Sequence, residues 1–340
     1  MRAQDQQPGR RSPKKNKIRT RFGVIEVSRK HPFSQPVLGQ RTSPFLQQKL
    51  SLLGCVEVFG EVPQRISSLL GIAVNHNQVY RTCQRVAKAL DQPTLNQPAK
   101  VLSDALKQED EQVYAMVDGS MVFTDDGWQE TKVGRIFQAT HSVENEVHNW
   151  EMQTSHYVAK RGHYTDFTAN FEQSLPPESA CQKVFVTDGA TWIGQWIADR
   201  YPKAVHIIDV FHVCEKLASI APKDSKAWLA KQTQTLLNSG VEQVMTELKT
   251  LPSCPGDEIH KLMGYLENHK HQMDYPHYRK QGWMIGSGAI ESAHRTLLQV
   301  RMKRSGQRWA NTGCDHMIKL RLAYQNNRCD LIQNLLKHAA

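Results

Sequence analysis

Three acidic residues stand where an acid could do chemistry: Asp118 in VYAMVDGSMVF, Asp188 in KVFVTDGATWIGQW and Glu291 in GWMIGSGAIESAHR. The first two follow short β-branched runs and the third opens a helical stretch, so three distant segments could bring carboxylates to one place. Such a cluster suits hard divalent cations, Mg²⁺ or Mn²⁺. Two ions about 3.5–4 Å apart activate an attacking oxygen and stabilise a leaving one, which is the chemistry of phosphodiester cleavage. Asp118, Asp188 and Glu291 are therefore the candidate catalytic residues and the candidate ligands of two metal ions. Each has a plainer reading as well. Asp118-Gly119 between two β-rich runs is a type I′ hairpin signal, Asp188 could cap the helix after it, and Glu291 could complement a helix dipole. Together, in this order and on these element types, they favour the joint reading.

Asp209, at the end of AVHII, competes with Asp188 for the second position. Asp188 is preferred because, in the sheet expected here, the fourth strand neighbours the first and the fifth lies one step farther out. His212 falls three residues beyond Asp209, on the same side of the next helical turn, where it could orient a metal ligand or touch DNA. Zinc held by Asp209, His212 and Cys214 is the lesser reading. Trp192, Trp196, Trp283 and Trp309 read mostly as core, with Trp309 inside a basic run also able to stack on an unpaired base.

The elements that must position these residues follow from periodicity. Strands are expected at 113–117, 120–123, around 133–140, at 183–186 and at 204–208, with helices near 163–175 and 190–201. Three strands followed by helix and strand alternation fit an α/β domain on a mixed sheet, the RNase H-like plan. Helical patterns over 228–251 and 257–273 interrupt it, so residues 218–282 read as a helical insertion. The catalytic domain is then 101–217 with 283–340, ending in a basic tail whose Arg301, Lys303, Arg304 and Arg308 are candidate DNA contacts. Residues 1–17 read as a disordered basic arm, and 18–100 as a DNA-binding region that begins with a weak strand at 20–27. Ile66, Leu69 and Leu70 form one helical stripe; Val79, Cys83, Val86 and Leu90 form another. Gly71 falls in the turn between them and Asn75 can cap the second helix. That order fits a helix-turn-helix, and equally a plain helical hairpin. In the first case His76, Asn77, Gln78 and Arg81 would meet bases and phosphates. DQPTLNQPAK (91–100) reads as a linker.

Charge supports a nucleic-acid partner. The chain of 340 residues carries a formal net charge of +10, with ten Lys/Arg in residues 1–30 and ten in 280–340 flanking a net negative centre. Seven scattered cysteines without a C-x-x-C pair argue for reduced thiols and against a zinc ribbon or disulfide scaffold. The N-terminus lacks an apolar signal region and no long apolar run occurs, so no membrane is expected; the expected location is cytoplasmic, associated with the nucleoid.

DGSMV, VTDGATWI, IIDVFHVCEKL, GSGAIESAHR and RMKRSGQRW resemble blocks of Kra-type bacterial insertion-sequence transposases, a group related to Mutator-like elements. The resemblance spans roughly residues 20–335 and implies a DDE triad of Asp118, Asp188 and Glu291, with Asp209 and His212 as an auxiliary motif. The intervals of 70 and 103 residues suit a domain with a helical insertion before its Glu. One departure is SRKHPFSQPVLGQ (28–40), which lacks the cysteine-paired, zinc-binding element seen in such proteins and puts an intact N-terminus in question. The implied function is DNA transposition, a DNA recombination reaction. Terminal inverted repeats are bound, nicked with water, and joined through the freed 3′-hydroxyl to target DNA by a homodimer. The alternative is a non-catalytic DNA-binding remnant or regulator; a resolvase-like nuclease, lacking end-specific binding, is a third.

Overall fold

The computed structural model describes residues 15–20, 23–31, 34–98, 104, 112–144, 147–177, 181–222, 225–250 and 258–338. The chain divides into two units, Met1–Asp91 with Lys319–Ala340, and Gln92–Ile318. Residues 319–340, expected to belong with the catalytic domain, thus group with the N-terminal helices. Most of the expected basic arm lies outside the described residues.

In the first unit an antiparallel hairpin joins β1 (Lys15–Thr20) to β2 (Gly23–Ser28), so strand structure begins within the stretch assigned to the arm. Three helices follow: α1 (Pro44–Val56), α2 (Val62–Leu70) and α3 (His76–Ala89). The turn between the last two is built as its residue types dictate. Gly71 closes α2 in the left-handed conformation, φ 64°, and the Asn75 side chain accepts from the Gln78 N–H to start α3. Val79, Cys83, Val86 and Leu90 are buried as their spacing requires, but Leu69 is 72% exposed, so α2 buries only Val62 and Ile66 fully. The C-terminal helix Cys329–His338 packs on α1 and buries Ile332 and Leu336.

The second unit opens where a linker was expected. Gln92–Asn96 is a short helix, α4, with Leu95 buried and Asn96 bonded to Asn170 and Gln173. The unit is α/β on a five-stranded mixed sheet of β3 (Val113–Thr124), β4 (Gly127–Glu144), β5 (Val147–Arg161), β6 (Lys183–Thr187) and β7 (Val205–Ile208). The order is β5-β4-β3-β6-β7, antiparallel across β5, β4 and β3, and parallel across β3, β6 and β7. The two runs around Asp118-Gly119 are one strand. Those residues lie opposite Val133 and Lys132, and the hairpin comes later, at Asp125-Asp126, with Gly127 at φ 86°. All five residues of β6 are buried, as a near-continuous apolar run in a covered parallel strand should be. The helices α5 (Tyr164–Glu172) and α6 (Thr191–Arg200) contribute Phe167, Phe171 and Trp196 to the core shared with the sheet.

After α7 (Val210–Ser219) the helical stretch divides into α8 (Lys226–Asn238) and α9 (Val241–Lys249), because Gly240 at φ 90° breaks the expected single run. Then come α10 (Glu258–His269) and α11 (Tyr275–Lys280), whose buried Tyr275 hydroxyl donates to the Ile208 carbonyl at the end of β7. Next is α12 (Gly288–Ala293), which continues as a π-helical turn, His294–Gln299, and a last α-turn, Val300–Met302. The basic run behind it is folded rather than a tail. The Trp309 N–H donates to Phe123 O, Asp125 N donates back to Trp309 O, and Arg301, 1% exposed, lies over the Trp309 ring.

The six cysteines among the described residues are free thiols, while Cys254 lies outside them. Among the described residues no helix is long and apolar enough to cross a membrane.

Candidate active site

Asp118 sits on β3 two residues past Met116, the last position paired with β6 through Val186. Asp188 is the first residue beyond β6. Two neighbouring parallel strands therefore deliver both side chains to the same end of the sheet. One Asp118 oxygen accepts from the Gly119 N–H at 2.6 Å. Its carboxyl is nevertheless pushed up to about 6, first by burial, opposed by that hydrogen bond, and then by the charges of Asp188 and Glu130, with His212 pulling it back. Asp188 caps its own turn, accepting from the Ala190 N–H at 2.9 Å, and its backbone carbonyl accepts from the Tyr265 hydroxyl of α10 at 3.4 Å. Gly189, at φ 85°, permits the turn beneath that tyrosine.

Asp209 does other work. It is buried at the start of α7, where Oδ1 accepts from the N–H groups of Phe211 and Ser287, both at 3.1 Å, and Oδ2 accepts from the Ser287 hydroxyl at 2.7 Å. The Val210 N–H donates to Ile285 O, and the Phe211 ring packs where a Cβ on Gly286 would fall. This lacing fixes the segment that leads into α12, the helix of Glu291. Arg135 of β4 docks that helix from below by donating to the Ala289 carbonyl at 2.9 Å. Glu291 itself is exposed in the first turn. Among the described residues no three His, Cys, Asp or Glu side chains already converge as a metal shell. Asp118 and Asp188 offer the carboxylate oxygens a hard cation prefers, and the Asp188 charge adds to the burial that raises the Asp118 carboxyl; Glu291 does not complete a convergent group of three with them.

The sequence reading missed His294. Three residues after Glu291, it places Nε2 3.8 Å from Asp118 Oδ2. Burial, then the Lys303 charge, hold it down at about 4 against the opposing pull of a hydrogen bond to the Asp118 backbone, so the ring is neutral. The signal was present in ESAH, because a residue three places on shares the helix face of Glu291. Lys303, expected on a DNA-binding tail, donates instead to the Ser120 hydroxyl at 2.6 Å and faces Asp118; burial draws its amine down and the Asp118 charge pushes it back. Arg301 is too buried to meet DNA. Arg308 is exposed but tied to Asp125 at 2.9 Å, while exposed Arg304 donates to Val300 O. On α3, His76, Asn77 and Arg81 are exposed, whereas Gln78 is half-buried and donates to Thr42.

The model of UPF0236, described as an uncharacterised protein family, matches residues 62–331. The chain belongs to this family. A curated relative, the UPF0236 protein in vanSb 3′region of Streptococcus gallolyticus, is 23% identical over 299 residues, covering 84% of this chain. The match takes in 64% of that relative's length, so this chain spans less than two thirds of it. The match to UPF0236 overturns the resemblance to Kra-type insertion-sequence transposases. Neither the family description nor the relative's name carries an activity.

Proposed function

We propose that this UPF0236 protein is a metal-dependent DNA-processing enzyme, a transposase that cuts the ends of a mobile element and joins them to target DNA. The observation that carries the reading is that the neighbouring parallel strands β3 and β6 bring Asp118 and Asp188 to the same end of the sheet, where burial first and then the Asp188 charge push the Asp118 carboxyl up. Carboxylates held against mutual repulsion in a half-buried site are the arrangement a divalent cation relieves. The order β5-β4-β3-β6-β7, with three antiparallel strands and two parallel ones, supports an RNase H-like fold for this unit. Bound Mg²⁺ or Mn²⁺ would supply charge for the attacking and leaving oxygens. Asp118 and Asp188 would hold the ions, Glu291 would complete the shell from α12, and Lys303, beside Asp118, would meet a phosphate oxygen. The exposed face of α3, with His76, Asn77 and Arg81, supports DNA binding by a helix-turn-helix. A dimer on DNA follows from the need to bring two ends together.

The test begins with the DNA around the coding sequence, where short inverted repeats are expected. A duplex carrying such a repeat should be bound specifically and nicked at its end with Mg²⁺ or Mn²⁺. Binding without any nicking under either ion would overturn the enzyme in favour of a DNA-binding regulator, and absence of both binding and nicking would overturn the whole reading.

A further inference from the structure

We propose that His294 is a nitrogen ligand of the cation site, which makes that site selective for Mn²⁺ over Mg²⁺. The inference rests on the reading of Asp118 and Asp188 as cation ligands. His294 is 8% exposed, and its Nε2 is buried without a hydrogen-bond partner. Leaving a buried polar nitrogen unmatched is costly, so such an atom calls for a reason. It points at Asp118 Oδ2 across 3.8 Å, too long for a hydrogen bond. Adjacent donors that each lie about 2.1 Å from a shared ion are about 3.0 Å apart in an octahedral shell, so the two atoms would have to close by somewhat under about 1 Å to share one.

The local backbone supports the same assignment. His294 opens a six-residue π-helical turn, a rare form that tends to occur at functional sites. The Glu291-x-x-His294 spacing puts a carboxylate and an imidazole on one helix face, a pairing that carboxylate-bridged metal sites use. Lys303, bonded to Ser120, lies within reach of the Asp118 charge on the same side of the site. An imidazole in an otherwise oxygen-rich shell moves preference from Mg²⁺ toward Mn²⁺ and later transition metals.

Titration of the full chain with Mn²⁺ and with Mg²⁺, followed by calorimetry, tests the proposal. Wild type should bind Mn²⁺ at least about tenfold more tightly than Mg²⁺. His294→Ala should lose about 10–100-fold in Mn²⁺ affinity while Mg²⁺ affinity changes by less than about threefold. His294→Gln, which keeps the volume, should behave alike, and circular dichroism melts check that both variants fold. Pulsed electron paramagnetic resonance of Mn²⁺ on wild type should show a directly bonded nitrogen that is absent in His294→Gln, while His212→Gln retains it. Mn²⁺ binding that Asp118→Asn abolishes and His294 variants leave intact, with no nitrogen coupling, overturns His294 alone. No Mn²⁺ or Mg²⁺ binding by wild type would overturn both this proposal and the cation site beneath it.

Discussion

Asp118 is placed at a cost to the folded protein, and the cost is measurable. Its carboxyl titrates near 6 in the folded chain rather than at the ordinary 3.8, so the folded state holds the extra proton between those values. Stability therefore falls as pH rises through that window, and the full penalty is present above it. For a side chain 38% exposed, solvent screening leaves about 1 kcal/mol. Asp118→Asn, melted in chelator, should be about 2–4 °C more stable than wild type at pH 7.5 and indistinguishable from it at pH 4. Equal melting at both values would show that Asp188 and burial do not press on Asp118. That Asp118 and Asp188 lie toward one end of neighbouring strands was legible because each follows a short apolar run, VYAMV and KVFVT, and those runs pair in parallel. The roles of Arg301 and Lys303 were not, since charge in sequence says nothing about whether a side chain is folded under a tryptophan or aimed at a carboxylate.

At the scale of elements, the site depends on how the segment before α12 is anchored. Asp209 satisfies three donors there, so Asp209→Ala leaves those groups without their acceptor and should cost about 1–3 kcal/mol. Because the same contacts set the approach of Glu291, cleavage should fall about 10–100-fold with little change in DNA affinity. Asp209→Asn keeps one acceptor oxygen and should fall between. Wild-type melting and cleavage in the alanine variant would remove Asp209 from the positioning of α12. Strand and helix types were readable wherever apolar spacing was clean, as in β6 and α3. The strand β5 was not read, because VHNWEMQTSHYVAKR offers no apolar run and is held by fourteen residues of pairing with β4 rather than by its own pattern. The continuous β3 was misread because Asp-Gly favours a turn locally, and long-range pairing with β4 prevailed.

Across the whole molecule, the grouping of Lys319–Ala340 with Met1–Asp91 joins the two ends of the chain in one unit, something no local pattern announces. That unit carries the exposed face of α3, and Arg81→Ala should weaken binding to an inverted-repeat duplex and lower the slope of affinity against salt by about one. An unchanged slope would place DNA elsewhere. The central claim, that Asp118 and Asp188 together hold the catalytic cation, is tested most directly by single-turnover nicking of such a duplex in Mn²⁺ by Asp118→Asn and Asp188→Asn, with binding followed in parallel by gel shift. Each variant should bind DNA as wild type does and fail to nick, and the double variant should be no worse than either single one, because losing one ligand already displaces the ion. Nicking at the wild-type rate by either single variant would contradict the account.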